Sequence, residues 1–122
     1  KITPLGFVSD TTRANLMSGA RVLVAPSLYE SLCMVVLEAW NVGLPVLVNG
    51  RCDVLRGQTI RANGGLYYCD FLEFCEALDF FMRKPEQASV LGTQGTCYVQ
   101  REYRWPTVMA KLEAFLAQLS VA

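Results

Sequence analysis

The chain has 122 residues, 11 basic and 11 acidic side chains, no histidine and a net charge of zero. With 52% hydrophobic and 18% charged residues it reads as one globular domain with a modest, rather apolar core. The balanced charge offers no basic field for nucleic acid or an acidic membrane. In chain order, "PLGFV" (4–8) reads as a strand, and Asp10 can cap a helix over 11–19 with Leu16 and Met17 facing inward. "RVLVAP" (21–26) is a second strand that ends at a proline. Ser31 to Val42 reads as a helix, its apolar residues at Met34, Val35, Leu37 and Val42, with Gly43 as its stop. "PVLVN" (45–49) is a continuous apolar run of the kind buried on both faces of a sheet.

Residues 50–65, "GRCDVLRGQTIRANGG", are polar and glycine-rich, which predicts a loop with a helical turn and a short strand at 58–61. "LYYC" (66–69) is a further strand, and three helices follow. The first, 71–83, sets Phe71, Phe74, Cys75, Leu78, Phe81 and Met82 on one face. The second starts at Pro85 or Glu86, with Ala88, Leu91, Gly95, Tyr98, Val99 and Glu102 on one stripe. The third, 106–121, starts near Pro106 and carries Val108, Met109, Leu112, Phe115, Leu116 and Leu119. Strands alternating with helices predict an α/β fold with a mostly parallel, Rossmann-like sheet flanked by helices. The aromatic cluster Phe71, Phe74, Phe80 and Phe81 reads as core rather than as a stacking platform for bases.

Five cysteines at 33, 52, 69, 75 and 97 are odd in number and show no CxxC spacing. With no histidine beside them they argue against a zinc site or a disulfide framework, and for buried thiols in a reducing compartment. No signal peptide or long apolar span is legible. The chain opens without an initiator methionine, almost at once on a strand-like segment, and so reads as a piece of a longer protein. Arg51, Arg56 and Arg61 form a looser basic group, either a solvated face or the lining of a phosphate or acceptor site.

In parallel sheets ligands bind where strands end and helices begin. That points to "APSLYES", after the second strand. A helix N-terminus there offers unpaired N–H groups and a partial positive charge to an anion. With a start near Ser31 or Leu32, the backbone N–H groups of Leu32, Cys33, Met34 and Val35 face the crevice. Glu30 and Glu38 flank them, with seven residues between the two. Both carboxylates repel phosphate but suit hydroxyl groups, since a carboxylate takes two charge-assisted bonds from a diol. On spacing alone this is weak, and a capping Glu30 with a surface Glu38 reads equally well.

The stretch "PSLYESLCMVVLEAWNVGLPVLV" is far more specific. It resembles the E-x7-E signature of the retaining group 1 glycosyltransferases, which have the GT-B fold. The matching positions are Pro26, Ser27, Glu30, Leu37, Glu38, Ala39, Gly43, Pro45 and Val46. "PLGFVSD", "NGGLYY" and the segment "KPEQASVLGTQGTCYVQREYRW" extend the likeness to nearly the whole chain.

The resemblance implies a nucleoside diphosphate sugar as donor substrate, with no cofactor and no metal. Glu30 would contact hydroxyls of the donor sugar and position it. The N–H groups of Leu32 and Cys33 would lie near that sugar, those of Met34 and Val35 would hold the diphosphate, and Glu38 would hold the ribose. Residues 1–122 would be a single partial domain, the donor-binding half, closed by helices over 71–122. The N-terminal acceptor domain and the basic pair that clamps the diphosphate would precede Lys1, so this piece alone should not catalyse transfer. The last helix would dock partly on that missing domain. Two glycines of the family stand here as Ser31 and Cys33, which puts the tightest sugar contacts in question. The expected setting is cytoplasmic, with a lipid-linked acceptor and peripheral association at the inner membrane face left open. A sugar-nucleotide epimerase and a degenerate, non-catalytic subunit are the rivals. A phosphorylase is disfavoured because Lys1, Lys84 and Lys111 are all remote from the junction.

Overall fold

A computed structural model describes residues 1–119. The elements are α1 (Asp10–Gly19), β1 (Leu23–Ala25), α2 (Met34–Asn41), β2 (Val46–Asn49), α3 (Asp53–Ala62), β3 (Gly65–Tyr68), α4 (Phe71–Arg83), α5 (Pro85–Glu102) and α6 (Trp105–Leu119). The strands form one parallel sheet in the order β1-β2-β3, with Val46 beside Leu23 on one side and Gly65 on the other. This is the expected α/β architecture.

The sheet is buried because β2 alternates between two apolar layers. Val46 and Val48 face a cluster built on Val36, Leu37 and Trp40 of α2 and Leu55 of α3. Leu47 faces the other way, onto Phe81 of α4 and Ala88 of α5. Helix α5 also packs against α2. The Trp40 indole N–H donates to the Gly64 carbonyl at 2.9 Å, and the Thr96 hydroxyl donates to the Trp40 carbonyl at 2.6 Å. Tyr98 meets the Trp40 ring edge-on at a centroid distance of 5.7 Å. The glycines of α5 make this contact possible: a Cβ at Gly95 would collide with the Trp40 ring, and one at Gly92 with the Gly43 carbonyl.

Several expectations need correction. Residues 4–8 form no strand; they pair with no neighbour in the sheet, and Phe7 is fully exposed. An apolar pattern without a partner strand does not fix a strand. Ser9, not Asp10, caps α1, its hydroxyl accepting from the Thr12 N–H at 3.2 Å, and Leu16 points outward while Met17 is buried. Residues 53–62 are the full helix α3, with Asp53 in its first turn and Asn63 left-handed at its end, so there is no strand at 58–61. On α4 the buried side is Phe74, Ala77, Leu78 and Phe81, while Phe71, Cys75 and Met82 are exposed. Met34 and Val42 are likewise exposed. Cys33 and Cys52 are buried, but Cys75 and Cys97 are not.

Helix α4 begins as the sequence suggests. The Asp70 side chain accepts from the Glu73 N–H at 2.9 Å, and Glu73 reaches back to accept from the Cys69 N–H at 2.6 Å. Helix α6 buries none of its residues. Residues 120 and 121, at the end of the expected last helix, lie outside the described residues.

Candidate functional site

The carboxyl ends of the three strands open on one cleft of about 560 Å³, lined among others by Pro26, Leu28, Asn49, Arg51, Asp70 and Phe71. Of the loop 26–33, which leads into α2, Pro26 and Leu28 line this cleft, while Glu30, Leu32, Cys33, Met34, Val35 and Glu38 are not among its lining. Two side-chain amides from the following elements hold this loop. Asn49, at the end of β2, donates from Nδ2 to the Pro26 carbonyl at 3.1 Å, and its Oδ1 accepts from the Arg51 N–H at 3.0 Å. Gln58 of α3 donates from Nε2 to the Leu32 carbonyl at 2.9 Å.

Helix α2 begins at Met34, three residues later than the sequence pattern places it. Cys33 precedes it in the left-handed region, with φ at 57°. Such a φ is uncommon outside glycine and costs free energy. The later start redistributes the expected N–H donors. Met34 and Val35 stand in the first turn, where the N–H groups have no partner within the helix, while Leu32 and Cys33 belong to the loop before it. The Val36 N–H turns back to the Cys33 carbonyl at 3.0 Å. The helix has eight residues, and its N-terminal dipole points at the end of the loop.

Glu30 folds back towards this helix start. Burial pushes the Cys33 thiol above its ordinary pKa, and the Glu30 carboxylate, which the thiol faces as a donor, raises it further. Glu30 is half-buried there. Glu38 lies four residues into α2, about 6 Å along the axis from Met34. It opens on a recess of about 290 Å³ between α1 and α2, beside Asp10, Ala14 and Asn41. Its Oε1 is paired with Arg13 at 3.2 Å, and Arg13 also reaches Asp10 at 3.2 Å. Reading the sequence missed Arg13, because α1 looks like a plain polar helix until its contact with α2 is known.

The structure therefore brings Glu30, Leu32, Cys33, Met34 and Val35 together at one helix start and sets Glu38 further along, on the side facing α1. It does not gather the three arginines. Arg51 lines the cleft, Arg56 pairs with Asp53 at 2.9 Å, and Arg61 donates to the Tyr98 hydroxyl at 3.5 Å. Gln58 was also missed, because the segment that carries it reads as a loop. Among the described residues no helix is long and apolar enough to cross a membrane.

Known proteins bear on this geometry. The structure is similar to sucrose-phosphate synthase from Thermosynechococcus elongatus, with a TM-score of 0.80, 27% sequence identity, and coverage of 96% of this chain and 30% of that one. Against an uncharacterized glycosyltransferase of Methanocaldococcus jannaschii it is 45% identical over 49 residues, which is 40% of this chain and 13% of that protein. The chain thus spans less than a third of either relative. The fold is that of one part of a GT-B glycosyltransferase. The family described as glycosyl transferases group 1 matches residues 1–82, two of the three strand–helix units at full length and the start of the closing helices included, and the chain belongs to that family.

Proposed function

We propose that this chain is the donor-binding part of a retaining glycosyltransferase, which moves a sugar from a nucleoside diphosphate sugar to an acceptor held by another domain. The observation that carries this reading is the helix start at Met34, in the connection that follows the carboxyl end of β1, with Glu30 beside Cys33 immediately before it. Around this geometry the stretch from Pro26 to Val46 keeps the spacing of the E-x7-E signature.

In this reading the diphosphate sits against the N–H groups of Met34 and Val35. As the bond between the anomeric carbon and the diphosphate breaks, negative charge grows on the leaving oxygens. Fixed donors and the helix dipole stabilise that charge without reorganising. Glu30 accepts hydrogen bonds from hydroxyls of the donor sugar and so positions it; it is not assigned as a covalent nucleophile. The N–H groups of Leu32 and Cys33 lie near the sugar. Glu38 accepts from the ribose diol. Its pairing with Arg13 at Oε1 does not preclude this, since an ionised carboxylate has about four acceptor sites on two oxygens. No cofactor enters the reaction. The acceptor, whether lipid-linked or soluble, and the domain that binds it lie beyond this chain's own residues, and the expected setting is the cytoplasm or the inner membrane face.

Glu30→Ala in the full-length protein tests the reading. Transfer from UDP- or GDP-sugars should fall by about a hundredfold or more, since a charge-assisted contact to the reacting sugar is lost. Unchanged turnover, or hydrolysis and isomerisation of the donor without any transfer, would overturn it.

A further inference from the structure

Gln58 is 2% exposed, and it sits in a helix whose other inward residues are the apolar Leu55 and Ala62 and the polar Thr59. Its Oε1 meets no donor in good hydrogen-bond geometry among the described residues, although the Tyr103 hydroxyl lies beside the same amide. A buried amide oxygen without a partner is destabilising, and an apolar side chain of the same size would avoid that cost. What the glutamine has, and an apolar residue lacks, is the bond from Nε2 to the Leu32 carbonyl at 2.9 Å, beside a weaker contact with the Tyr103 hydroxyl. A carbonyl only accepts, so the donor end of the amide must face it.

That bond has a geometric consequence. The Leu32–Cys33 peptide is trans, so the Leu32 C=O and the Cys33 N–H point in opposite directions. Holding the carbonyl against α3 aims the Cys33 N–H away from α3. The next backbone torsion is the left-handed φ of Cys33, which persists only where the surroundings hold it. Asn49 holds the other end of the same loop through the Pro26 carbonyl. The loop is thus fixed at both ends by buried amides that take no part in the sheet ladder. We propose that Gln58 is a positioning residue for the donor site: it sets the peptide plane that aims the Cys33 N–H and maintains the turn from which Met34 and Val35 project. This rests on the donor-binding reading above, but its geometric half stands without it.

The test uses the full-length protein with Gln58→Met, which keeps the volume and removes the donor. Selective nitrogen-15 labelling of cysteine reports the Cys33 amide directly. In Gln58→Met its resonance should move, while the amides of Cys75 and Cys97 stay in place. Calorimetric affinity for UDP or GDP, whichever the wild type binds, should weaken by about five- to tenfold, the scale of one lost hydrogen bond. In a Cys33→Gly background the loss should shrink, because glycine adopts the left-handed turn unaided. An unmoved Cys33 amide overturns the proposal. So does an unchanged affinity, or an equal loss with and without Cys33→Gly, which would mean a packing effect. If the wild type binds neither nucleotide, the donor reading fails, and the Cys33 amide still decides whether Gln58 sets the loop.

Discussion

Helix α2 buries Val36, Leu37, Ala39 and Trp40, whereas α6, longer and also mostly apolar, buries none. Helix α2 lies between the sheet and α5, so each inward side chain meets a neighbour on two sides. Helix α6 touches the rest mainly at its start. Lys111, midway along it, pairs with Glu102 at 2.7 Å, while the side chains of Leu112, Phe115 and Leu119 are exposed. A helical apolar period shows which residues would face a partner. It does not show whether the partner is in the same domain. Stability in this chain is therefore concentrated on the elements that carry the signature loop.

The largest expected effect is at the centre of that comparison. Trp40→Ala should destabilise the fold by about 3–5 kcal/mol, through the cavity left under α5 and the loss of the indole bond to the Gly64 carbonyl, which keeps the Val46 N–H. A urea titration measures this, and a loss below about 1 kcal/mol would break the contrast. Gly95→Ala should cost about 1–3 kcal/mol, since the new methyl meets the Trp40 ring rather than open space. By contrast Phe115→Ser on α6 should change stability by no more than about 0.5 kcal/mol. A loss several times larger would show that its face is covered in the protein as it functions.

The smallest effect concerns how α6 is tied on. Arg101, first, and Lys111 hold the Glu102 carboxyl down from its ordinary value of 4.5 to about 2. The folded form thus binds this proton less readily than the unfolded chain. Its contribution is present above about pH 4.5 and is lost as the pH falls through about 2. Acidification across that window should quicken amide exchange in the first turns of α6 and leave α2 protected. The pair is on the surface, so added salt should blunt the effect.

Much of this was legible in the sequence. The uninterrupted apolar run at 45–49 announces a strand buried on both faces, and β2 is buried throughout. Pro85 marks the start of α5, and the apolar spacing over 71–83 places α4. The failures have physical causes. Residues 4–8 have the composition of a strand, but pairing is a property of two segments, and none lies beside them here. Helix α3 was hidden because Gln58 and Thr59 occupy inward positions where the period calls for apolar residues, so its helical spacing from Leu55 to Ala62 was masked. The start of α2 was placed three residues early because Ser31 resembles a cap, whereas the turn is made by a left-handed cysteine that no propensity favours. The residues proposed for the donor site were picked out by their resemblance to a family pattern. Arg13 and Gln58, which hold Glu38 and the loop, became visible only when α1 and α3 were packed against α2.

The central claim is that Glu38 and the start of α2 bind a nucleoside diphosphate sugar. The most direct measurement is thermal stabilisation of the full-length protein by UDP- and GDP-sugars, beside the Glu38→Ala variant. The account predicts that one nucleotide series stabilises the wild type, by about 2.7 kcal/mol at a concentration about 100 times the dissociation constant. It predicts that Glu38→Ala loses most of that shift. No stabilisation by any nucleotide sugar, or an undiminished shift in Glu38→Ala, would contradict it.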